Sequence, residues 1–448
     1  MKKTFLEETL LFVNIIKWAV LSTVTGLITG TGAAIFIKLL GWTNGTVQSY
    51  RYYFIFLPVA LFLSSLVTKY LAQDTEGNGT DKVIEAVHKK GGKINLSLIP
   101  AKLTATIITL TGGGSAGKEG SCAEIGAGLA SGISDIIKLN KEDRRKIVIC
   151  GISAGFSTVF GTPVAGALFA IEVLVLGKVV HEVLFPSLVS AVIGFHVAKS
   201  LGIVYFHQTI VVSSKSTEGL FVYVMLGGLC FGLVALLMIE ALKYSEKLAD
   251  RIKIWKPFKG LIAGIILVLL TLVFSPAYLG LGIDTIESTV QGQDVALYTF
   301  LAKILFTVIT LSMGGSGGIL TPVFFIGVTA GSAFAQVFHM DTGFFAAIGL
   351  VSVLSGVANT PVAASVLAVE MFGPHISPYA AIACLVSYIA SGHRSIYPSQ
   401  VLGTTKSSSV TLPLMKDFRN LEEIQTEKRP EKVINMLNKT SSKDQENK

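Results

Sequence analysis

Apolar runs of near-spanning length recur along most of the chain, and no other feature limits its fold as strongly. LLFVNIIKWAVLSTVTGLITG, YYFIFLPVALFLSSLV, FVYVMLGGLCFGLVALLMI and GLIAGIILVLLTLVF are among them, and about 20 apolar residues cross a bilayer as a helix. One cleavable signal peptide cannot account for apolar runs that continue past residue 390. Only 15% of residues are charged, where a soluble domain carries roughly 25%. The pattern predicts an all-α polytopic membrane protein.

The net charge of +8 does not point to nucleic acid, because the basic residues gather between apolar runs. They cluster at His88–Lys93, Lys138–Lys146, Lys243–Lys259 and in the tail from Lys416, whereas GLGIDTIESTVQGQDVA (280–296) has no Lys or Arg. The positive-inside rule then places the basic loops and both termini in the cytoplasm. Cys122, Cys150, Cys230 and Cys384 are isolated, and the seven histidines are scattered. Neither a disulfide framework nor a metal site is indicated, and no cofactor is expected.

The chain repeats itself. AKLTATIITLTGGGSAG (101–117) aligns with AKILFTVITLSMGGSGG (302–318) at a shift of 201, and GTPVAGALFAIEV (161–173) with NTPVAASVLAVEM (359–371) at a shift of 198. Two matches in the same order imply a duplication, with halves of about 10–200 and 217–403 inside a membrane domain of 1–413. Residues 414–448 form a short charged cytoplasmic tail, with room for one amphipathic helix (421–436) and none for a regulatory domain. Glycine-rich punctuation at 112–117 and 314–318, with Thr-Pro pairs at 162, 321 and 360, reads as broken helices. Transporters built from repeats place their substrate sites at such breaks.

One break, TGGGSAGKEGS (111–121), nearly spells G-x-x-x-x-G-K-[ST], but Glu119 stands where a magnesium-holding hydroxyl belongs. The second copy, GGSGGILTP, keeps the glycines and replaces Lys118 and Glu119 with Ile319 and Leu320. A membrane ATPase would need the lysine, and a strand before the loop. What the duplication kept is a glycine turn into a helix, whose N-terminal amides carry roughly half a positive charge and attract anions. A third such turn is EGNGTDKVIEAVH (76–88), with Thr80 and Asp81 as capping residues. The plainer alternative is close helix contact through small residues.

A carboxylate at membrane depth is a functional candidate by default. Glu119 at the mouth of an anion site would occupy the anion's place when ionised and withdraw when protonated, coupling the anion to a proton. Glu124, Glu172 and Glu370 are also flanked by apolar residues. Glu172 and Glu370 are repeat mates, which suggests a shared structural role in bonding backbone amides. Lys102 and Lys303, also mates, read as helix-end residues snorkelling to the interface.

From about residue 15 to 403 the sequence resembles the CLC family of anion channels and anion/proton exchangers. Three family motifs appear in order: Gly77-Asn78-Gly79-Thr80-Asp81, Gly117-Lys118-Glu119-Gly120-Ser121 and Gly318-Ile319-Leu320-Thr321-Pro322. Tyr397, in GHRSIYPSQ, matches the family's late tyrosine. The resemblance implies a homodimer with one pore per subunit, each pore formed from two inverted halves with broken and re-entrant helices. It makes Glu119 the external gating glutamate and implies anion contacts at Asn78, Thr80, Gly120, Ile319, Leu320, Thr321 and Tyr397. The family's usual serine is Asn78 here, and the first two motif prolines are Asp81 and Ser121. The fluoride-exporting branch also departs at these motifs, and Asn78, Thr80 and Thr321 would supply the donors a small hydrated anion needs. The internal proton-transfer glutamate of chloride exchangers is replaced by Val173. The expectation is anion/proton antiport, fluoride ahead of chloride, with a passive chloride channel as the alternative.

Overall fold

A computed structural model describes residues 2–71, 79–178, 180–210, 217–407 and 412–419. The first eight helices are α1 (Lys2–Val47), α2 (Leu57–Leu71), α3 (Gly79–Lys89), α4 (Leu98–Thr111), α5 (Glu119–Ile136), α6 (Lys141–Phe160), α7 (Pro163–Glu172) and α8 (His181–Ser200). The next eight are α9 (Thr217–Arg251), α10 (Lys256–Val273), α11 (Ile283–Val290), α12 (Thr299–Ser312), α13 (Leu320–Phe338), α14 (Thr342–Ala358), α15 (Pro361–Phe372) and α16 (Ser377–Ala390). The only strands among the described residues are β1 (Val175–Leu176) and β2 (Val401–Leu402), paired in parallel. Among the described residues six helices are long and apolar enough to cross a membrane, and the quoted apolar runs lie on α1, α2, α9 and α10. The apolar stretch of α13 is 83% buried and that of α1 only 22%, so α13 is interior while α1 offers its surface to lipid. The expected tail helix at 421–436 lies outside the described residues.

The two sets of helices correspond in order. α5 packs on α6 as α13 does on α14, α1 packs on α8 as α9 does on α16, and α2 meets α10 and α7 meets α15 across the halves. Individual bonds repeat the symmetry. Ser115 N–H donates to Thr310 Oγ1 at 3.1 Å, and Ser316 N–H donates to Thr109 Oγ1 at 3.0 Å. Thr106 and Ser316 share a hydroxyl bond of 3.1 Å, and Ser115 and Thr307 one of 2.9 Å. Partners that exchange places in this way require a two-fold axis between the halves.

The basic loops collect on one face. Gly92 packs against Arg144 and Arg145, Gly91 against Lys141, and Arg145 donates to the His88 carbonyl. The Lys17–Asp143 pair (2.6 Å) brings in the early part of α1, and the Lys89–Asp417 and Arg419–Asp81 pairs (3.1 and 3.0 Å) bring in residues 412–419. α4 leads away from this face. At its far end Thr111 Oγ1 donates to Thr43 and Asn44 near the end of α1, and Gly280 N–H donates to Gly113 O at 3.0 Å. The segment without Lys or Arg therefore lies on the opposite face, and it contains the short helix α11. α12 runs back the other way, so that Gly314 beyond its end lies against Ser65 and Gly260. The halves are inverted.

Two helices begin at Thr-Pro pairs, where a proline at the first position loses no intrahelical bond. Their exposed amides are met reciprocally. Glu172, at the end of α7, accepts from Val362 and Ala363 N–H at 3.1 and 2.8 Å, and Glu370, near the end of α15, accepts from Val164 and Ala165 N–H at 3.0 and 2.8 Å. This is the amide-bonding role expected of the repeat mates. The snorkelling expectation for Lys102 and Lys303 is overturned: they are 3% and 0% exposed. Lys303 Nζ donates to the Tyr278 and Gly280 carbonyls at 3.0 and 2.9 Å and sits 4.8 Å from the Phe325 ring centroid. Those helix faces are covered by protein, so the ammonium finds carbonyls instead of the interface.

Candidate functional site

The site is made by two re-entrant turns. At the ends of α4 and α12 the chain reverses through Gly113 (φ 99°) and Gly314 (φ 117°), angles that an L side chain opposes. The returning segments meet at Gly117 and Gly318, which exchange two backbone hydrogen bonds of 2.7 Å each. A Cβ at Gly117 would collide with the Glu119 carboxylate, and one at Gly318 would lie 2.6 Å from Gly120 N. With both positions bare, α5 and α13 start side by side inside the protein. A helix, α4, precedes the first loop, so the strand context of a nucleotide cradle is missing.

Glu119 opens α5 but bonds to the other half. It is 1% exposed. Its Oε1 accepts from Leu320 N–H at 2.5 Å and its Oε2 from the Thr321 hydroxyl at 2.7 Å. The amides of Thr321 and of Glu119 itself also face the carboxylate. The carboxylate lies at the tip of α13, where unpaired N–H groups favour negative charge.

The remaining candidates lie around this point to different degrees. The Gly120 amide adjoins Gly318, Ile319 is the N-cap residue of α13, and Thr80 lies in the first turn of α3. Tyr397 is fully buried; Thr80 is within reach of its hydroxyl and the charge of Glu119 acts on it. That hydroxyl makes no well-formed hydrogen bond among the described residues. Asn78 lies outside the described residues. Val173 ends α7, buried, so no acid stands there.

Asp81 departs from its expected capping role. Its carboxylate accepts from Ser399 N–H at 2.7 Å, from the Ser399 hydroxyl at 2.9 Å and from Arg419 at 3.0 Å. It thereby ties α3 to the segment that carries Tyr397. Local sequence cannot reveal a partner this distant. The hydroxyl bonds between halves were also missed, although Thr109 and Thr310 recur at the same shift of 201 as the glycine loops.

Comparison with known proteins agrees with this architecture. A model of the voltage gated chloride channel family matches residues 59–392. A chloride/fluoride channel protein of Pseudomonas syringae pv. tomato is 34% identical over 420 residues, covering 92% of each chain. The crystal structure of a CLC-type fluoride/proton antiporter superposes with a TM-score of 0.82 at 31% identity, over 87% of this chain and 98% of that one. A slow cyanobacterial Cl⁻/H⁺ antiporter shares the fold, with a TM-score of 0.74 at 21% identity over 85% and 96% of the two chains. With the paired glycine turns, inverted halves and buried glutamate in place, the chain belongs to the voltage gated chloride channel, or CLC, family.

Proposed function

We propose that this protein exchanges a small anion for protons at the tips of α5 and α13, with fluoride favoured over chloride. The observation that carries the reading is the Glu119 carboxylate held by Leu320 N–H and Thr321 Oγ1. When ionised it fills the anion's place. Protonation discharges it, it swings away, and the amides are free for the incoming anion. Gly120, Ile319, Leu320, Thr321 and Tyr397 line the path, and Thr80 and Asn78 bring further donors. Fluoride is the smaller and more strongly hydrated halide, and hydroxyl and amide donors replace its lost water. The names of the Pseudomonas relative and of the superposed antiporter support fluoride as substrate.

The face with the basic loops and both described chain ends is the cytoplasmic one by the positive-inside rule, in the plasma membrane. The family likeness supports a homodimer with one site per subunit. A passive chloride channel is the second reading, favoured by Val173 at the family's internal proton position. Reconstituted vesicles loaded with fluoride or chloride, with external pH recorded during efflux, separate the two. Antiport requires proton uptake against a pH gradient driven by the anion, with fluoride faster; anion flux without proton movement establishes the channel.

A further inference from the structure

Val173 leaves the inner half of the proton's path without its acid, but another buried carboxylate lies nearby. Glu124 is on α5, five residues past Glu119, a rise of about 7.5 Å with a turn of about 140° around the helix axis. It is 8% exposed, and neither oxygen has a hydrogen-bond partner among the described residues. Lys102 of α4 supplies the positive charge that acts on it. Glu124 lines a cavity of about 560 Å³ between α3, α4 and α5, together with Lys82, Glu85, Lys90, Lys93 and Lys102. Lys82 and Glu85 pair at 3.5 Å, and Lys90 and Lys93 belong to the basic face. On its other side the Glu124 carboxyl packs against Gly79, where any Cβ would collide with it. Gly79 begins α3 and is followed by Thr80, the neighbour of Tyr397. The carboxyl therefore stands between the cavity and the residues around the anion site.

The second half supplies a control. Lys303 and Phe325 are the mates of Lys102 and Glu124 at a shift of 201, and Gly282 is the mate of Gly79 at a shift of 203. There the ammonium sits over the Phe325 ring, and the ring fills the space against Gly282. The same arrangement of helix, lysine and glycine is satisfied by an aromatic side chain. Packing does not demand a carboxylate at this place, and an ionisable group at membrane depth without hydrogen bonds is a functional group by default.

We propose that Glu124 is the inner proton station of the exchange cycle, an inference that rests on the antiport reading. A hydronium ion in the cavity gives its proton to the Glu124 carboxylate and leaves as water. The carboxylic acid passes that proton through intervening water to Glu119, which is then released from Leu320 and Thr321. Glu124 returns to its ionised form, and Lys102 offsets that charge. Each step is reversible, and one proton is carried.

The test uses the full-length chain in vesicles, with anion efflux and proton uptake recorded together. Glu124→Gln keeps anion efflux within about threefold of the parent and lowers proton uptake by at least about tenfold, the scale of a lost acid–base group. Glu124→Asp, which keeps the acid, retains proton uptake. If the Gln variant does not reach the membrane, Glu124→Phe copies the second half and gives the same readout. An unchanged proton-to-anion ratio in the Gln or Phe variant overturns the proposal. So does an equal loss of both fluxes in the Gln and Asp variants, which is what a packing role produces. A parent protein that moves anions with no protons refutes the antiport reading itself, and this proposal with it.

Discussion

The loops 112–121 and 313–322 follow the same backbone course and end in the same kind of helix tip, yet they contribute unlike groups to the site where they meet. The first puts a carboxylate, Glu119, on the opening residue of α5. The second puts Leu320 at the equivalent place and so leaves the tip of α13 bare, and Thr321, the mate of Gly120, adds a hydroxyl. The acid of one half is bound by the amide and hydroxyl of the other. A further contrast follows deeper in the fold, where Lys102 stands beside Glu124 but Lys303 stands over Phe325. Duplication has kept the backbone donors, which any sequence can supply, and varied the side chains that make the two faces unequal. A transporter needs both. In the proposed cycle the shared tips would hold the anion, and the unshared carboxylates would carry the proton.

This contrast can be broken most severely at its centre. Glu119→Gln removes the ionisable group while keeping its size, and proton uptake should fall about 100-fold, within the range of a lost acid–base group, while anion flux persists. Simultaneous flux and pH recordings check it, and retained coupling would remove Glu119 from its role. A smaller effect is expected where the halves agree. Glu172→Gln and Glu370→Gln each weaken a carboxylate's hold on two helix-start amides, worth about 2–3 kcal/mol for a buried charged acceptor. Thermal unfolding in detergent should show a drop for both, larger at Glu172, which is 7% exposed while Glu370 is more open. The proton-to-anion ratio should stay unchanged, and a changed ratio would mean that these residues also serve transport. The smallest effect belongs to the hydroxyl bonds on the axis. Thr109→Val and Thr310→Val each remove the acceptor for a serine amide of the other half, a loss of about 1 kcal/mol apiece. Thr109→Val should cost somewhat more, because Thr109 Oγ1 also donates to the Ser64 hydroxyl at 2.7 Å; a clearly larger loss at Thr310 would contradict the arrangement.

Much of this was legible from the chain alone, and the exceptions share a cause. Long apolar runs have one physical solution in a bilayer, so the helical class followed directly. The duplication was visible because backbone turns at membrane depth tolerate few residues besides glycine, which kept the loops at 112–117 and 314–318 recognisable. Glu119 stood out as an acid where acids are costly. The misreadings concern side chains whose partners are remote in sequence. Asp81 looked like a helix cap because local spacing allows it, yet its partner Ser399 is 318 residues away. Lys102 and Lys303 looked like interfacial residues because helix ends are where long cations usually lie; the cover provided by neighbouring elements cannot be read from α4 or α12 alone. Glu124 was recognised only as an acid among apolar residues. Its significance needed the cavity and the comparison with Phe325.

The central claim is competition between one carboxylate and one anion for the tip of α13. Calorimetric titration of fluoride and chloride into detergent-solubilised parent and Glu119→Ala proteins tests it most directly. With the carboxylate gone, Leu320 N–H and Thr321 Oγ1 are left for the ion, and affinity should rise by about tenfold or more, as expected when a charged hydrogen-bonding competitor is removed. Affinity that is unchanged or weaker in Glu119→Ala would show that acid and anion do not share a place, and would contradict the account.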